Sequence, residues 1–220
     1  FILEDLDKAI DLLASRSKFS GQRLNREAAL LFKSRVALYE GTFEKYHRNS
    51  GRVPGDSEWP GANADYNSGK IFGIDGEIEF FLTEAIAAAE EVAGTAQLTS
   101  NNHVIEPTVG VTTGWNPYFE MYSQPSLANV TEVLLWKEYN SELSVKHNAP
   151  YRCKIGCADG YTRTFVEAFL MKNGLPIYAE NSGYQGDTSI DNAKKDRDER
   201  LQLFVWGEST ILDTDESAPT

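Results

Sequence analysis

Apolar residues recur at three- and four-residue steps in three stretches near the start of the chain. They cover residues 1–14, 26–40 and 75–93. This period is typical of helices that bury one face. We expect Asn25 to cap the second helix and Gly41 to break it. Phe43 and Tyr46 should then open a return helix, and Gly94 should end the third helix of the pattern.

Between these helical stretches lies a sequence rich in Gly, Pro, Asn and Ser, which predicts a loop insertion at about 48–74. After residue 93 the helical period weakens. The run "NVTEVLLWKEYN" favours a buried strand. Thr164 and Glu167 have the spacing of a capping box, which predicts a short helix after Thr164. A short helix is also expected around Tyr118 to Tyr122.

The stretch "REAALLFKSRVALYEGTFEKYH" resembles the tetratricopeptide signature in its order of Tyr39, Gly41, Phe43 and Glu44. Such repeats are stable when about three of them stack. Fewer than two are present here, so other repeats, or the second half of the chain, must cover the helices. The predicted fold is mainly α. Tetratricopeptide-like helical hairpins (1–93) pack with an irregular, loop-rich second half (94–220) that contains minor β structure.

Four segments in order resemble the SusD/RagB-like outer-membrane nutrient-binding lipoproteins. They are "REAALLFKSRVALYEGTFEKYH", "NVTEVLLWKEYN", "TFVEAFLMKNGLPIY" and "KDRDERL". The resemblance implies one partial domain over 1–220, the middle of a longer protein. It also implies a surface protein that captures oligosaccharide or another nutrient for a SusC-like TonB-dependent transporter. The lipid anchor would lie on an N-terminal segment outside this sequence. No cofactor is implied, and the motif residues Arg197, Asp198 and Arg200 are expected to fix a helix start.

Charge and hydropathy narrow the classes of function. The net charge of −12 gives no sequence-independent affinity for phosphate backbones, so nucleic acid is not an expected partner. No apolar run reaches the roughly 20 residues of a membrane-spanning helix. The chain starts inside a helical pattern and ends in small and acidic residues. We therefore expect a fragment.

Aromatic side chains on loops are the natural candidates for saccharide contact, because their faces cover the C–H patches of sugar rings. Trp59 fits best, with Asn63, Asp65 and Tyr66 as polar and aromatic neighbours. Trp115 is a second candidate. Either indole could instead pack on its own scaffold, Trp115 as a hydrophobic staple. Four further aromatic residues are interpreted as core or packing residues: Phe119, Tyr122, Trp136 and Trp206.

The sequence gives weaker support for a metal site or a catalytic site. His147, Cys153 and Cys157 could ligate zinc, but the usual Cys-x-x-Cys spacing is absent, and the two cysteines could equally form a disulfide or remain buried thiols. No catalytic or phosphate-binding motif is present, so we do not expect an enzyme. The alternatives to nutrient capture are a tetratricopeptide interaction scaffold and, third, a glycoside hydrolase.

Overall fold

The structure is a computed structural model that describes residues 1–111, 113–149, 151–152 and 160–210. Its α-helices are α1 (Ile2–Leu12), α2 (Arg26–Tyr46), α3 (Ile74–Ala93), α4 (Pro117–Glu120), α5 (Arg163–Glu167), α6 (Ile190–Lys194) and α7 (Glu199–Phe204). Within the described ranges, β structure amounts to two isolated bridges, Asn140 with Val145 and Met171 with Arg197. The mainly α fold with a loop-rich second half is confirmed.

The chain divides into two compact units. The helical unit comprises Phe1–Leu98 and Ser126–Glu138, and the loop-rich unit comprises Thr99–Pro125 and Tyr139–Thr220. The chain therefore leaves the helical unit after Leu98 and returns to it at Ser126 before leaving again. Sequence patterns placed the change of character near residue 93 and gave no sign of this return.

Helices α2 and α3 form the hairpin of the helical unit. Gly41 does not break α2, which continues to Tyr46, so Phe43 and Tyr46 belong to the same helix. The return helix is α3, after a loop of residues 47–73. A Cβ atom on Gly41 would lie 3.1 Å from Leu82 and 3.2 Å from Phe81. The glycine therefore permits close approach of two helices rather than a turn.

The core of the helical unit lies where α1 and α3 meet the start of α2. It contains Ile10, Ala29, Leu30, Ala88 and Val92. Asn25 caps α2 as expected, because its side-chain oxygen accepts from the Ala28 N–H at 2.9 Å.

Segment 126–138 packs on the start of α2 without forming a strand. The buried Arg16 guanidinium donates to the backbone carbonyls of Leu127, Ala128, Val130 and Val133 at 2.8–3.2 Å. The prediction of a strand was wrong because these side-chain donors satisfy carbonyls that a neighbouring strand would otherwise have paired.

Trp136 lies near the end of this segment. Its indole N–H donates to the Ser20 carbonyl at 2.7 Å, and its backbone N–H donates to the Gly21 carbonyl at 3.0 Å. The Trp136 ring is half-buried, in keeping with a packing role. Trp206, for which the same role was predicted, is instead exposed.

The loop-rich unit is held by short capped helices. Helix α5 begins after Thr162, whose hydroxyl accepts from the Phe165 N–H, so the predicted cap at Thr164 was two residues too late. Arg197 is 1% exposed and donates to the carbonyls of Ala193, Val166 and Phe169. No helix among the described residues is both long and apolar enough to cross a membrane.

Candidate functional site

Four of the predicted site residues lie in the loop of residues 47–73. Trp59 is half-buried, with its ring 5.1 Å from that of Phe72 in an edge-on arrangement. A side chain on Gly61 would overlap the Trp59 ring, so backbone already covers one indole face. Asn63, Asp65 and Tyr66 are exposed. This geometry favours the alternative in which Trp59 packs on its own loop.

Trp115 belongs to the loop-rich unit, whereas the other four belong to the helical unit. It is half-buried, and its ring centroid lies 4.7 Å from that of Phe119 in the following helix. That contact is of the kind expected of a hydrophobic staple. None of the five predicted residues lines either of the two pockets described next.

The loop-rich unit contains a pocket of about 360 Å³ with an aromatic wall, which we name the aromatic pocket. Its lining residues are Tyr118, Tyr122, Tyr161, Phe165, Phe169, Arg200, Leu201, Phe204 and Val205. Three of the rings remain accessible. Tyr122 is 65% exposed, Tyr161 is 58% exposed and Phe165 is 48% exposed.

Helix α4 positions one side of this pocket. The fully buried Asn116 side chain accepts from the N–H groups of Tyr118 and Phe119, and it donates to Asn101 and to the Val104 carbonyl. A four-residue helix is marginal alone, so these bonds fix its orientation. Tyr118 and Tyr122 then project one turn apart, with their ring centroids 5.7 Å from each other.

Phe204 at the end of α7 contacts the rings of Tyr118, Phe119 and Tyr122. Its ring stacks on Phe119 at 5.6 Å and meets Tyr122 edge-on at 5.1 Å. Asp198 caps α7 through the Arg200 N–H. The Arg200 guanidinium also binds both Asp198 oxygens, which lowers the pKa of that carboxyl group. Asp198 and Arg200 therefore fix a helix start, as expected. The guanidinium of Arg197 instead binds the carbonyls of Ala193, Val166 and Phe169.

Helix α5 supplies the opposite wall. The Tyr161 and Phe165 rings stack with centroids 5.1 Å apart, and Phe165 meets Phe169 at right angles at 5.3 Å. The Arg200 guanidinium lies 5.9 Å from the Phe169 ring, in cation–π range. The pocket thus offers flat aromatic faces with one cation at the edge.

A second, more polar pocket of about 570 Å³ shares Tyr118 and Arg200 with the first, and we name it the polar pocket. Its other lining residues are Thr99, Asn101, His103, Leu170, Met171, Lys172, Gly174, Arg197, Asp198 and Glu199. Within it, one Glu199 oxygen accepts from the Asn101 amide and contacts His103 Nδ1, both at 2.8 Å. The aromatic pocket and the polar pocket are therefore adjacent, with Tyr118 and Arg200 between them.

The aromatic pocket was not predicted from the sequence. Tyr122 was interpreted as a packing residue because helical spacing is usual for core residues, yet its ring is mostly exposed. The available signal was a repeated spacing: Tyr118 and Tyr122 are four residues apart, as are Tyr161 and Phe165. Two short segments that each present aromatic residues at this interval indicate two aromatic faces.

The described residues contain no group of three or more His, Cys, Asp or Glu side chains able to hold a metal ion. Cys153 and Cys157 lie outside the described residues. His147 meets the Tyr139 ring edge-on at 4.4 Å.

A comparison of the chain with family models, with curated proteins and with solved structures finds no match. The resemblance of the four segments to SusD/RagB-like proteins therefore stays a prediction.

Proposed function

We propose that this chain binds saccharides, and that the aromatic pocket is the binding site. The observation that carries the proposal is the presence of three exposed aromatic rings, Tyr122, Tyr161 and Phe165, on two walls of one pocket. Aromatic faces pack on the C–H surface of sugar rings, and tyrosine hydroxyls and Arg200 pair with sugar hydroxyls. The volume of about 360 Å³ is within the range of small-molecule sites.

Capture without covalent chemistry suits this pocket. The binding energy would come from burial of apolar faces. The rings lie in or next to capped helices, so little conformational entropy is lost on binding. The aromatic pocket replaces the Trp59 loop as the preferred location because one Trp59 face is already covered. The Trp59 loop remains a prediction for a secondary contact.

The test is isothermal titration with a panel of neutral oligosaccharides, repeated on Phe165→Ala and Tyr122→Ala. We expect each substitution to weaken binding by about tenfold or more, which corresponds to about 1.4 kcal/mol. Tyr178→Ala is the matched control, since Tyr178 is exposed and lines neither pocket. Binding that is equal in all four proteins would contradict this site.

We further propose delivery of the ligand to a SusC-like TonB-dependent transporter at the cell outer membrane, with lipid anchoring through an N-terminal segment. The support is the ordered set of four resembling segments. The test is affinity capture of membrane partners from the native host, using the full natural protein. Recovery of a TonB-dependent transporter is the expected result. Reproducible recovery of other proteins in its place argues against this role.

A second candidate function is a helical interaction scaffold that binds an amphipathic helix of a partner protein. It is favoured by Phe32, Tyr39 and Tyr46, which are exposed on one side of α2, away from Gly41 and α3. Tyr39→Ser should abolish such binding and leave saccharide affinity unchanged.

The third alternative, a glycoside hydrolase, is tested by a reducing-sugar assay on any glycan that binds. Release of reducing sugar would contradict binding without catalysis.

A further inference from the structure

The polar pocket has an excess of positive charge, in contrast to the chain as a whole. Three cationic side chains line it, Lys172, Arg197 and Arg200, against two anionic ones, Asp198 and Glu199. The whole chain carries −12. At physiological ionic strength charges more than about 8 Å away are largely screened, so a ligand in the pocket responds to this local excess.

Of the three cations that line the polar pocket, Lys172 is the one best able to bind an anionic ligand. None of the ion pairs formed by the described residues involves its ammonium group. Its backbone is fixed, because the Lys172 N–H donates to the Asp196 carbonyl at 2.7 Å and it follows the buried Met171 in a closed turn. A positioned, unpaired lysine at a pocket is a ready partner for an anion.

The buried Arg197 adds to the same field. Its guanidinium donates to three backbone carbonyls rather than to a carboxylate, so its charge is not neutralised by a direct ion pair. Its Nε–H is buried and has no hydrogen-bond partner. A charge with incomplete compensation in a low-dielectric region stabilises an anion nearby.

The Glu199 carboxylate is already hydrogen-bonded within the protein, and it therefore repels an anion less than a carboxylate without such partners would. One of its oxygens accepts from Asn101 and contacts Nδ1 of His103. The carboxylate favours the tautomer with the proton on Nδ1, which leaves Nε2 as an acceptor for a sugar hydroxyl. The His103 side chain is 75% exposed, so that nitrogen is accessible.

We propose that the polar pocket is a subsite for the anionic group of an acidic saccharide, with Lys172 as its main cationic contact. This inference rests on the proposed function. A neutral part of the ligand would stack in the aromatic pocket, and a carboxylate or sulfate group would enter the polar pocket across the shared residues Tyr118 and Arg200. The subsite would select acidic over neutral saccharides.

The test compares trigalacturonate with its methyl ester, which removes the charge and keeps the sugar rings. Isothermal titration should show tighter binding of the acid by the unmodified protein. Lys172→Gln should weaken acid binding about fivefold and Lys172→Glu by tenfold or more, with ester affinity unchanged. Lys172→Arg should restore the preference. Lys146→Gln, in the same unit and outside both pockets, is the control for net charge.

The outcomes separate the two proposals. If the ester and the acid bind equally and Lys172→Glu changes neither, the subsite is rejected while saccharide binding stands, provided that Phe165→Ala still weakens both. If neither ligand nor any neutral oligosaccharide binds, both proposals are rejected. A sulfated oligogalactan in place of trigalacturonate shows which anion is preferred, and a response to Lys172→Glu with either anion supports the subsite.

Discussion

At the scale of single residues, each unit depends on one buried arginine that binds backbone carbonyls. Arg16 holds segment 126–138, and Arg197 holds the end of α5. A guanidinium has five donors in a fixed plane, so it can satisfy several carbonyls that no strand or helix pairs. In both units a side chain therefore organises irregular backbone.

Replacing Arg16 with methionine should lower the free energy of unfolding of the helical unit by roughly 3 kcal/mol or more, because the hydrogen bonds from the buried guanidinium to four backbone carbonyls are lost. Urea denaturation measures the loss, and faster hydrogen exchange of the Trp136 amide locates it. Arg35→Met removes an exposed arginine from α2 of the same unit and should have little effect. Equal stability of the two variants would show that the carbonyl bonds contribute little.

The buried side chain of Glu44 should make the stability of the folded protein depend on pH. It is 1% exposed, and one of its oxygens has no hydrogen-bond partner. Burial, together with the nearby Glu40 and Glu77, raises the pKa of Glu44 from 4.5 to about 7. The folded protein thus holds this proton more tightly than the unfolded chain, so Glu44 contributes a loss of stability as the pH rises from 4.5 to 7.

Glu44→Gln should remove that loss. The variant should match the unmodified protein below pH 4.5 and exceed it by up to about 3 kcal/mol above pH 7. Urea denaturation at a series of pH values measures the difference. Glu79→Gln makes the same charge change at an exposed position of α3 and should give no such pH dependence. A constant difference across the series would refute the raised pKa.

At the scale of elements, the close contact of α2 and α3 depends on Gly41. Gly41→Leu should destabilise the hairpin by about 1–3 kcal/mol, because the new side chain meets Leu82 and Phe81. Gly76→Leu places the same residue in α3 at a point where nothing lies within 4 Å, and the higher helix propensity should be neutral or slightly stabilising. Thermal unfolding followed by circular dichroism compares them. Two variants of equal stability would contradict the close-contact role.

Helical periodicity predicted the helices well and their connections poorly. Asn25 signals the start of α2 locally, through a bond to its own first turn. Gly41 was misread because a glycine at a turn and one at a helix contact look alike in sequence, and only the partner helix distinguishes them. The strand predicted within residues 129–140 was wrong because the carbonyls of Val130 and Val133 are paired by Arg16, a side chain 114–117 residues away.

The candidate site was less predictable for a similar reason. Each of its aromatic rings lies on a short segment whose neighbours come from another part of the chain. Loop position drew attention to Trp59, but the sequence does not reveal that Gly61 and Phe72 surround that ring. A pocket formed by α4, α5 and α7 requires the fold of the whole unit.

At the scale of the whole molecule, the chain order has a consequence for folding. The helical unit is incomplete until residues 126–138 are present, because they satisfy Arg16 and place Trp136. A fragment of residues 1–138 should therefore melt cooperatively, whereas a fragment of residues 1–98 should have lower helicity and a broad transition. Circular dichroism melting compares the two. Identical cooperative melting would show that the returning segment is dispensable.

Saccharide binding in the aromatic pocket is best tested by nuclear magnetic resonance of the protein with ¹³C-labelled aromatic rings, during titration with the best-bound oligosaccharide. We expect saturable shifts of the ring signals of Tyr122, Tyr161 and Phe165, which line the aromatic pocket. Shifts confined to Trp59 and Tyr66 would contradict binding in this pocket and would place it on the loop of residues 47–73.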